Sequence, residues 1–422
     1  MYETEEKKQR ALLFCVLLGN EDATLSSLSG EELDSLVKTM GAEVISSTSI
    51  NLKQINSATY IGSGKVQEIK QMVQATECDL VVFNLSLAPR MQRNLEKELG
   101  VCVIDREEVI LQIFADRAQT KEATLQVELA RLEYSRPRLT RLWTNLSRQR
   151  GGAYGNKGEG ESQLELDQRM VEDRIVRVKK DLEKVKEQRD VQRQNRMKSP
   201  TPKAAIVGYT NSGKSSLFNL FSQAGILVED KLFATLDPTT RSIKLPGGQE
   251  LLLTDTVGFI SNLPHHLVDS FKSTLEEAKY ADFLIIICDA SHPAMLACYQ
   301  TTVQVLEELG CTDKPAIVFI NKMDKVYDQF AVARLKSLYP VVISGSIKEN
   351  QNIDELQKLI SDTIHNLCPE KTYLIPETRY DLLSQMRREA QVLSIDYTGE
   401  GILVKAHVQQ PLLKELLEPY AK

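Results

Sequence analysis

"AAIVGYTNSGKSSLFNLF", residues 204–221, decides the fold. It opens as an apolar strand, turns through a loop and continues as a helix. The loop has the spacing GxxxxGKS, set by Gly208, Gly213, Lys214 and Ser215. In a strand–loop–helix setting this spacing is a phosphate-binding loop. The glycines let the chain turn so that backbone N–H groups face a β-phosphate, and the helix N-terminus adds a favourable dipole. Lys214 neutralises β/γ charge, and the Ser215 hydroxyl is suited to Mg²⁺. The look-alike "YIGSGKV", residues 60–66, lacks the four-residue spacer and the hydroxyl after lysine. Gly62 and Gly64 there read as a tight strand-to-helix turn.

Working outward, "LLLTDTVG" (251–258) ends an apolar strand on Asp255 and reaches Gly258 three residues later. A carboxylate there can hold Mg²⁺ through water, and the Gly258 N–H can bond a γ-phosphate. Between the two motifs lies "FATLDPTTR" (233–241), where Thr235, Thr239 and Thr240 are all chemically able to complete a Mg²⁺ shell. "FINKMD" (319–324) sets the base. Asp324 can accept from both the ring N–H and the exocyclic amine of guanine, a pair adenine does not offer. Asn321 can reach the purine N7 and O6 side, and Lys322 can lie along the ring. "VVISGSIKEN" (341–350) puts Ser344, Gly345 and Ser346 at the tip of the last strand, where backbone amides are candidates for guanine O6.

Strand and helix patterns alternate over the first ~115 residues and again over 203–368, which predicts two largely parallel α/β sheets. A helical pattern runs from about Arg106 to Leu146, with Pro137 interrupting it. A second runs over 162–197 with a narrow apolar stripe at Leu164, Met170, Val171, Ile175, Val178, Leu182 and Val185. Together they read as a two-helix hairpin. Its tip is "GGAYGNKGEGES" (151–162), with five glycines in twelve residues. The last ~50 residues read as a small α+β unit. The expected domains are therefore 1–115, 116–198, 199–368 and 369–422.

The net charge is −6, yet Arg131–Pro200 holds 18 Lys+Arg against 11 Asp+Glu, so a basic segment sits on an otherwise acidic chain. Seven scattered cysteines without CxxC spacing read as reduced thiols, and no His/Cys cluster supports zinc. No run approaches 18 apolar residues, and the mixed-charge start reads as an internal strand rather than a signal peptide. Among isolated residues, His265 and His266 read as a surface pair. Trp143 and Tyr134, in the basic region, are candidates for base stacking or for packing within the hairpin.

With "FATLDPTTR", "DTVGFISNLPHHLVDSF", "NKMD" and "SGS" behind "ATYIGSGKVQEI" and "LQVELARLEYSRPRL", the sequence resembles the HflX GTPases, relatives of the Obg group, over nearly its whole length. The resemblance implies an α/β fold: an N-terminal α/β domain with a two-helix hairpin, a Ras-like P-loop GTPase domain with a mostly parallel sheet, and a small α+β C-terminal domain. It selects Thr235 as the Mg²⁺ threonine beside Ser215, and Lys214, Thr235 and Gly258 as the catalytic groups. Carried over residue by residue, the nucleotide loops are Gly208, Tyr209, Thr210, Asn211, Ser212, Gly213, Lys214 and Ser215; Phe233, Ala234, Thr235, Leu236 and Asp237; Asp255, Thr256, Val257 and Gly258; Asn321, Lys322, Met323 and Asp324; and Ser344, Gly345 and Ser346.

The implied cofactors are GTP/GDP and Mg²⁺, and the implied partner is the 50S ribosomal subunit with its rRNA. The resemblance further implies a cytoplasmic monomer, with a membrane-peripheral fraction left open, that splits or rescues stalled 70S ribosomes. The alternatives are a GTP-dependent ribosome-binding switch in assembly or hibernation, and an RNA-remodelling enzyme that also uses ATP. Relative to the family's usual tip, roughly GGxGxRGPGET, this one is a residue longer and has Lys157 for the arginine and Glu159 for the proline, which weakens a phosphate grip. Phe259 stands where many GTPases keep a glutamine. It cannot orient a water molecule, so the expectation is slow intrinsic hydrolysis stimulated by the large subunit.

Overall fold

Nine residues with an unbroken apolar interior, "RALLFCVLL", make the first strand, β1 (Arg10–Leu18), buried along almost its whole length. A strand covered on both faces belongs inside a parallel sheet. In this computed structural model, which describes residues 8–19, 23–139, 163–197, 201–222, 232–246, 248–261, 276–367, 369–408 and 411–421, that is where it lies. The chain divides into two compact units: Met1–Glu183 with Asp230–Leu236 and Asn262–Phe271, and Lys184–Glu229 with Asp237–Ser261 and Lys272–Lys422.

In the first unit, helix α1 (Ala23–Thr39) leads to β2 (Glu43–Leu52), α2 (Ser63–Thr76) to β3 (Leu80–Phe83), and α3 (Pro89–Leu99) to β4 (Cys102–Asp105). The sheet order is β2-β1-β3-β4, with every pairing parallel. Helix α3 is bounded as its sequence dictates. Pro89 stands in its first turn, and Gly100 closes it at φ 77° with its N–H on Glu96 O. Gly62 stands at the entry to α2, after the turn that follows β2. The left-handed residue is Tyr60 (φ 65°), locked by paired backbone bonds with Asn56, while Gly62 is an ordinary extended N-cap.

The helical stretch after β4 is also not continuous. Helix α4 (Arg106–Arg117) stops at Ala118, which is extended, and α5 (Lys121–Ser135) restarts on the Thr120 cap, whose hydroxyl accepts from Ala123 N–H. Pro137 falls in a single 3₁₀ turn, as its missing N–H requires. Helix α6 (Gln163–Met197) supplies Ile175, Val178 and Leu182 to a cluster with Leu129 of α5. Met170, assigned to that stripe from spacing, is instead 61% exposed. Residues 151–162, expected to form the hairpin tip, and Trp143 lie outside the described residues.

Tyr134, read from sequence as a packing or stacking residue, is buried in a polar knot. Its hydroxyl reaches Asp105 Oδ1 (3.0 Å) and Glu108 Oε2 (3.1 Å), and the Arg138 guanidinium lies 3.7 Å over its ring. Arg138 also donates to Gln92 Oε1 and Leu87 O. Burial raises both the Asp105 carboxyl and the Tyr134 phenol. The segment "LEYSRPR" thus ties α5 to the end of β4.

The second unit is built on β5 (Lys203–Gly208), α7 (Lys214–Ser222), β6 (Thr239–Lys244), β7 (Glu250–Asp255), β8 (Phe283–Asp289), α8 (Met295–Glu308), β9 (Ala316–Asn321), α9 (Gln329–Leu338), β10 (Val342–Ser344) and α10 (Ile353–Leu367). The order is β10-β9-β8-β5-β7-β6, parallel except for β6. Chain order reverses across β5, so the carboxyl ends of β5, β7, β8 and β9 surround a crevice suited to a ligand. Beyond α10, β11 (Glu370–Ile375), α11 (Tyr380–Glu389), β12 (Gln391–Thr398), β13 (Gly401–His407) and α12 (Pro411–Leu417) form an antiparallel three-stranded sheet with its own core.

Removing the phenolic hydroxyl by Tyr134→Phe leaves two carboxylates without their shared donor. The expected loss is about 1.5–3 kcal/mol of stability, the range for hydrogen bonds to charged groups. It should appear as a lower urea midpoint with an unchanged slope.

Candidate functional site

Strand β5 runs into the phosphate loop through Gly208 at φ 149°, where an added Cβ would strike Ile287 O on the neighbouring strand. Asn211 takes the left-handed region (φ 59°), and Gly213 (φ 104°) leaves no room for a Cβ against the Asn321 side-chain amide. Helix α7 then starts at Lys214. Among the described residues, the buried hydroxyls of Thr210 and Ser212 have no hydrogen-bond partner, a cradle that fits a ligand rich in hydrogen-bonding oxygens. Lys214, 6% exposed, donates to Tyr209 O at 2.7 Å. Burial lowers its ammonium to about 8, against the pull of Asp255. A desolvated cation is a strong attractor for phosphate.

At the end of β7, Asp255 Oδ2 accepts from the Ser215 hydroxyl at 2.8 Å. Hard oxygen donors from the phosphate loop and from β7 therefore converge, which suits a small divalent cation. Thr256 Oγ1 donates to Ile206 O and pins the next residue to β5. A Cβ on Gly258 would lie 2.8 Å from Lys214 Nζ and 2.8 Å from Thr210 Cα, so only glycine fits. Phe259 is 4% exposed. Its backbone pairs with the phosphate loop, Thr210 N–H donating to Phe259 O (2.7 Å) and Phe259 N–H to Gly208 O (3.1 Å). Val257 is buried between these anchors.

The "NKMD" residues close the far side. Asn321 donates to Ser212 O (2.8 Å) and accepts from Ile347 N–H (3.0 Å). Lys322 is left-handed (φ 62°), and its ammonium reaches Asn211 O (2.9 Å) and Asp289 Oδ2 (2.7 Å). Met323 N–H donates to Gly345 O. The Ser346 hydroxyl donates to Asp324 Oδ1 at 2.6 Å, and this bond holds the Asp324 carboxyl below its usual range. The amides of Gly345 and Ser346 are already bonded, to Ile320 O and Gln351 O. A guanine O6 would have to share them. The Ser344 carbonyl accepts from Asn352.

Asp289 was missed from sequence, although "LIIICDAS" ends an apolar strand on an aspartate just as "LLLTDT" does. Phe233, Ala234, Thr235 and Leu236 belong to the first unit, and Asp237 to the second. Phe233 is left-handed (φ 53°) and buried, and its ring stands edge-on to Phe114 of α4 at 4.7 Å. His265 and His266 lie outside the described residues.

The sharpest steric test of this arrangement is Gly213→Ala. It adds a Cβ into the Asn321 amide at a positive φ, so nucleotide binding should fall below detection while the melting temperature of the ligand-free protein drops by only a few degrees. Calorimetric titration against the wild type checks it.

Three family models match in succession: "GTP-binding GTPase N-terminal" over residues 28–115, "GTP-binding GTPase Middle Region" over 117–196 and "50S ribosome-binding GTPase" over 203–322. Among curated proteins, the GTPase HflX of Treponema denticola is 49% identical over 387 residues, 86% of this chain and 99% of that protein. The GTPase HflX of Lacrimispora saccharolytica is 44% identical over 421 residues, 99% of this chain and 98% of that protein. That of Akkermansia muciniphila is 46% identical over 420 residues, 96% of each chain. Motifs, sheet order and near-full-length relatives agree: the chain belongs to the HflX GTPase family.

Proposed function

We propose that this protein binds GTP through Gly208–Ser215, Asp255–Gly258, Asn321–Asp324 and Ser344–Ser346, hydrolyses it slowly alone, and does so faster on the large ribosomal subunit. The observation that carries the base assignment is the Ser346–Asp324 hydrogen bond, which keeps an ionised carboxylate at the position where guanine offers two N–H donors. Mg²⁺ would be held by Ser215 and, through water, by Asp255, with Thr235 as the third protein oxygen. The metal would neutralise β/γ charge when bound. Lys214 binds the phosphates, and the Gly258 amide senses the terminal one.

The ribosomal role is supported by the description of the family model over 203–322 and by the basic excess of residues 131–200. Phosphate neutralisation by Lys and Arg is how RNA affinity is built. Splitting or rescue of stalled 70S particles is the activity we assign. The four segments 1–115, 116–198, 199–368 and 369–422 are its domains, and residues 151–162 are the part assigned to rRNA contact. A ribosomal partner implies a cytoplasmic protein.

Hydrolysis measured with and without purified 50S subunits tests the partner, and equal rates would refute it. Sedimentation of 70S particles with GTP, GDP and a non-hydrolysable analogue tests splitting; particles intact under every nucleotide would remove that assignment. For the base, Asp324→Asn should weaken GTP by about 1–3 kcal/mol, since an amide cannot accept both guanine N–H groups. The same variant should gain affinity for xanthosine triphosphate, whose C2 carbonyl accepts from the new amide. Unchanged GTP affinity would discard Asp324 as the base reader.

A further inference from the structure

The nucleotide chemistry uses the backbone of Tyr209 but gives its side chain no task. We propose that Tyr209 is a positioning residue for the γ-phosphate sensor. Its phenolic oxygen accepts the Ser261 backbone N–H at 2.8 Å and so fixes the loop that carries Gly258. The proposal rests on the assignment of Gly258 as that sensor.

After β7 ends, the residues from Gly258 to Ser261 run alongside the phosphate loop as a short parallel bridge between Tyr209 and Phe259. The Thr210 N–H···O Phe259 and Phe259 N–H···O Gly208 bonds both act at one residue of this loop. The Tyr209 hydroxyl adds a second anchor two residues further on. The Tyr209 ring is itself held beside His292, 6.3 Å between ring centroids, in a recess lined by Met295, Cys298 and Tyr299. Gly258 sits on the near side of this zip, packed so closely on Lys214 Nζ and Thr210 Cα that no Cβ fits. The lysine assigned to the β/γ-phosphates and the amide assigned to the γ-phosphate are thereby held side by side. The buried side chain of Phe259 is apolar and makes no hydrogen bond of its own.

A GDP-bound protein has no γ-phosphate for this loop to meet, so the hydroxyl should matter for GTP and not for GDP. Full-length Tyr209→Phe keeps the ring and its packing. Measured with Mg²⁺ against fluorescent GDP and a non-hydrolysable GTP analogue, it should bind GDP within about twofold of wild type. The analogue should bind about three- to tenfold more weakly, the span of one neutral hydrogen bond. The kcat for GTP should fall, and amide hydrogen exchange across residues 258–261 should quicken. Ser261→Ala keeps the backbone donor, so the ratio of analogue to GDP affinity should change less than in Tyr209→Phe. An unchanged ratio of analogue to GDP affinity overturns the proposal, whether both affinities hold or both fall together. Failure of the wild type itself to prefer guanine nucleotides would instead sink the underlying site assignment, so the two failures are told apart.

Discussion

One buried side-chain amide, that of Asn321, is the constraint on which the nucleotide face depends. Only 3% exposed, it donates to Ser212 O and accepts from Ile347 N–H, while Gly213 must lack a Cβ to let it in. Three loops far apart in sequence are thereby fixed by one group. Only a side chain with both a donor and an acceptor at this reach can do so. An aspartate would face the Ser212 carbonyl with an acceptor, and an alanine would strand two backbone groups in a dry place. The sheet order makes the tie possible: β5 and β9 lie on either side of β8, and their carboxyl ends come level.

The other bonds extend this wiring. Lys322 links Asn211 O to Asp289, Ser346 fixes Asp324, and Ser215 meets Asp255. Each fixes the orientation of a polar group, and oriented dipoles and charges are what electrostatic recognition of a charged ligand requires. Lys214 shows the cost of such readiness. Its burial lowers the ammonium to about 8, so part of the attraction for phosphate is stored as an unsolvated charge with Asp255 as its nearest compensation.

The loops proposed to hold the nucleotide could be singled out in the sequence because such chemistry demands rare residue types at fixed separations. Only glycine survives at 208, 213 and 258, and only a carboxylate serves at 324. The parallel sheets were legible too, since runs such as "LLFCVLL" and "LIIICD" have no other stable place. What escaped was set by tertiary geometry. Tyr60, not a glycine, is the left-handed residue before α2, held by its paired bonds with Asn56. The break at Ala118–Thr120 was hidden by strong helix formers on both sides and is betrayed only by the threonine cap. Met170 fits the helical period, yet α5 offers it no partner surface among the described residues. Asp289 looked like the end of a strand until Lys322 was seen to need it.

Phe259, the feature hardest to reconcile with hydrolysis, is explained by where its two halves go. Its backbone is the middle of the bridge to the phosphate loop, and its side chain is 4% exposed. A glutamine placed there would bury a primary amide, at about 1–3 kcal/mol unless it found partners. Or it would turn out toward the phosphates and give up the apolar anchor of the bridge. The sequence resolves this conflict in favour of a rigid sensor loop. Orientation of the attacking water then falls to a group other than the residue at 259. A loop ordered for recognition but without a water-orienting side chain at 259 would suit a switch whose bound state lasts until such a group is supplied.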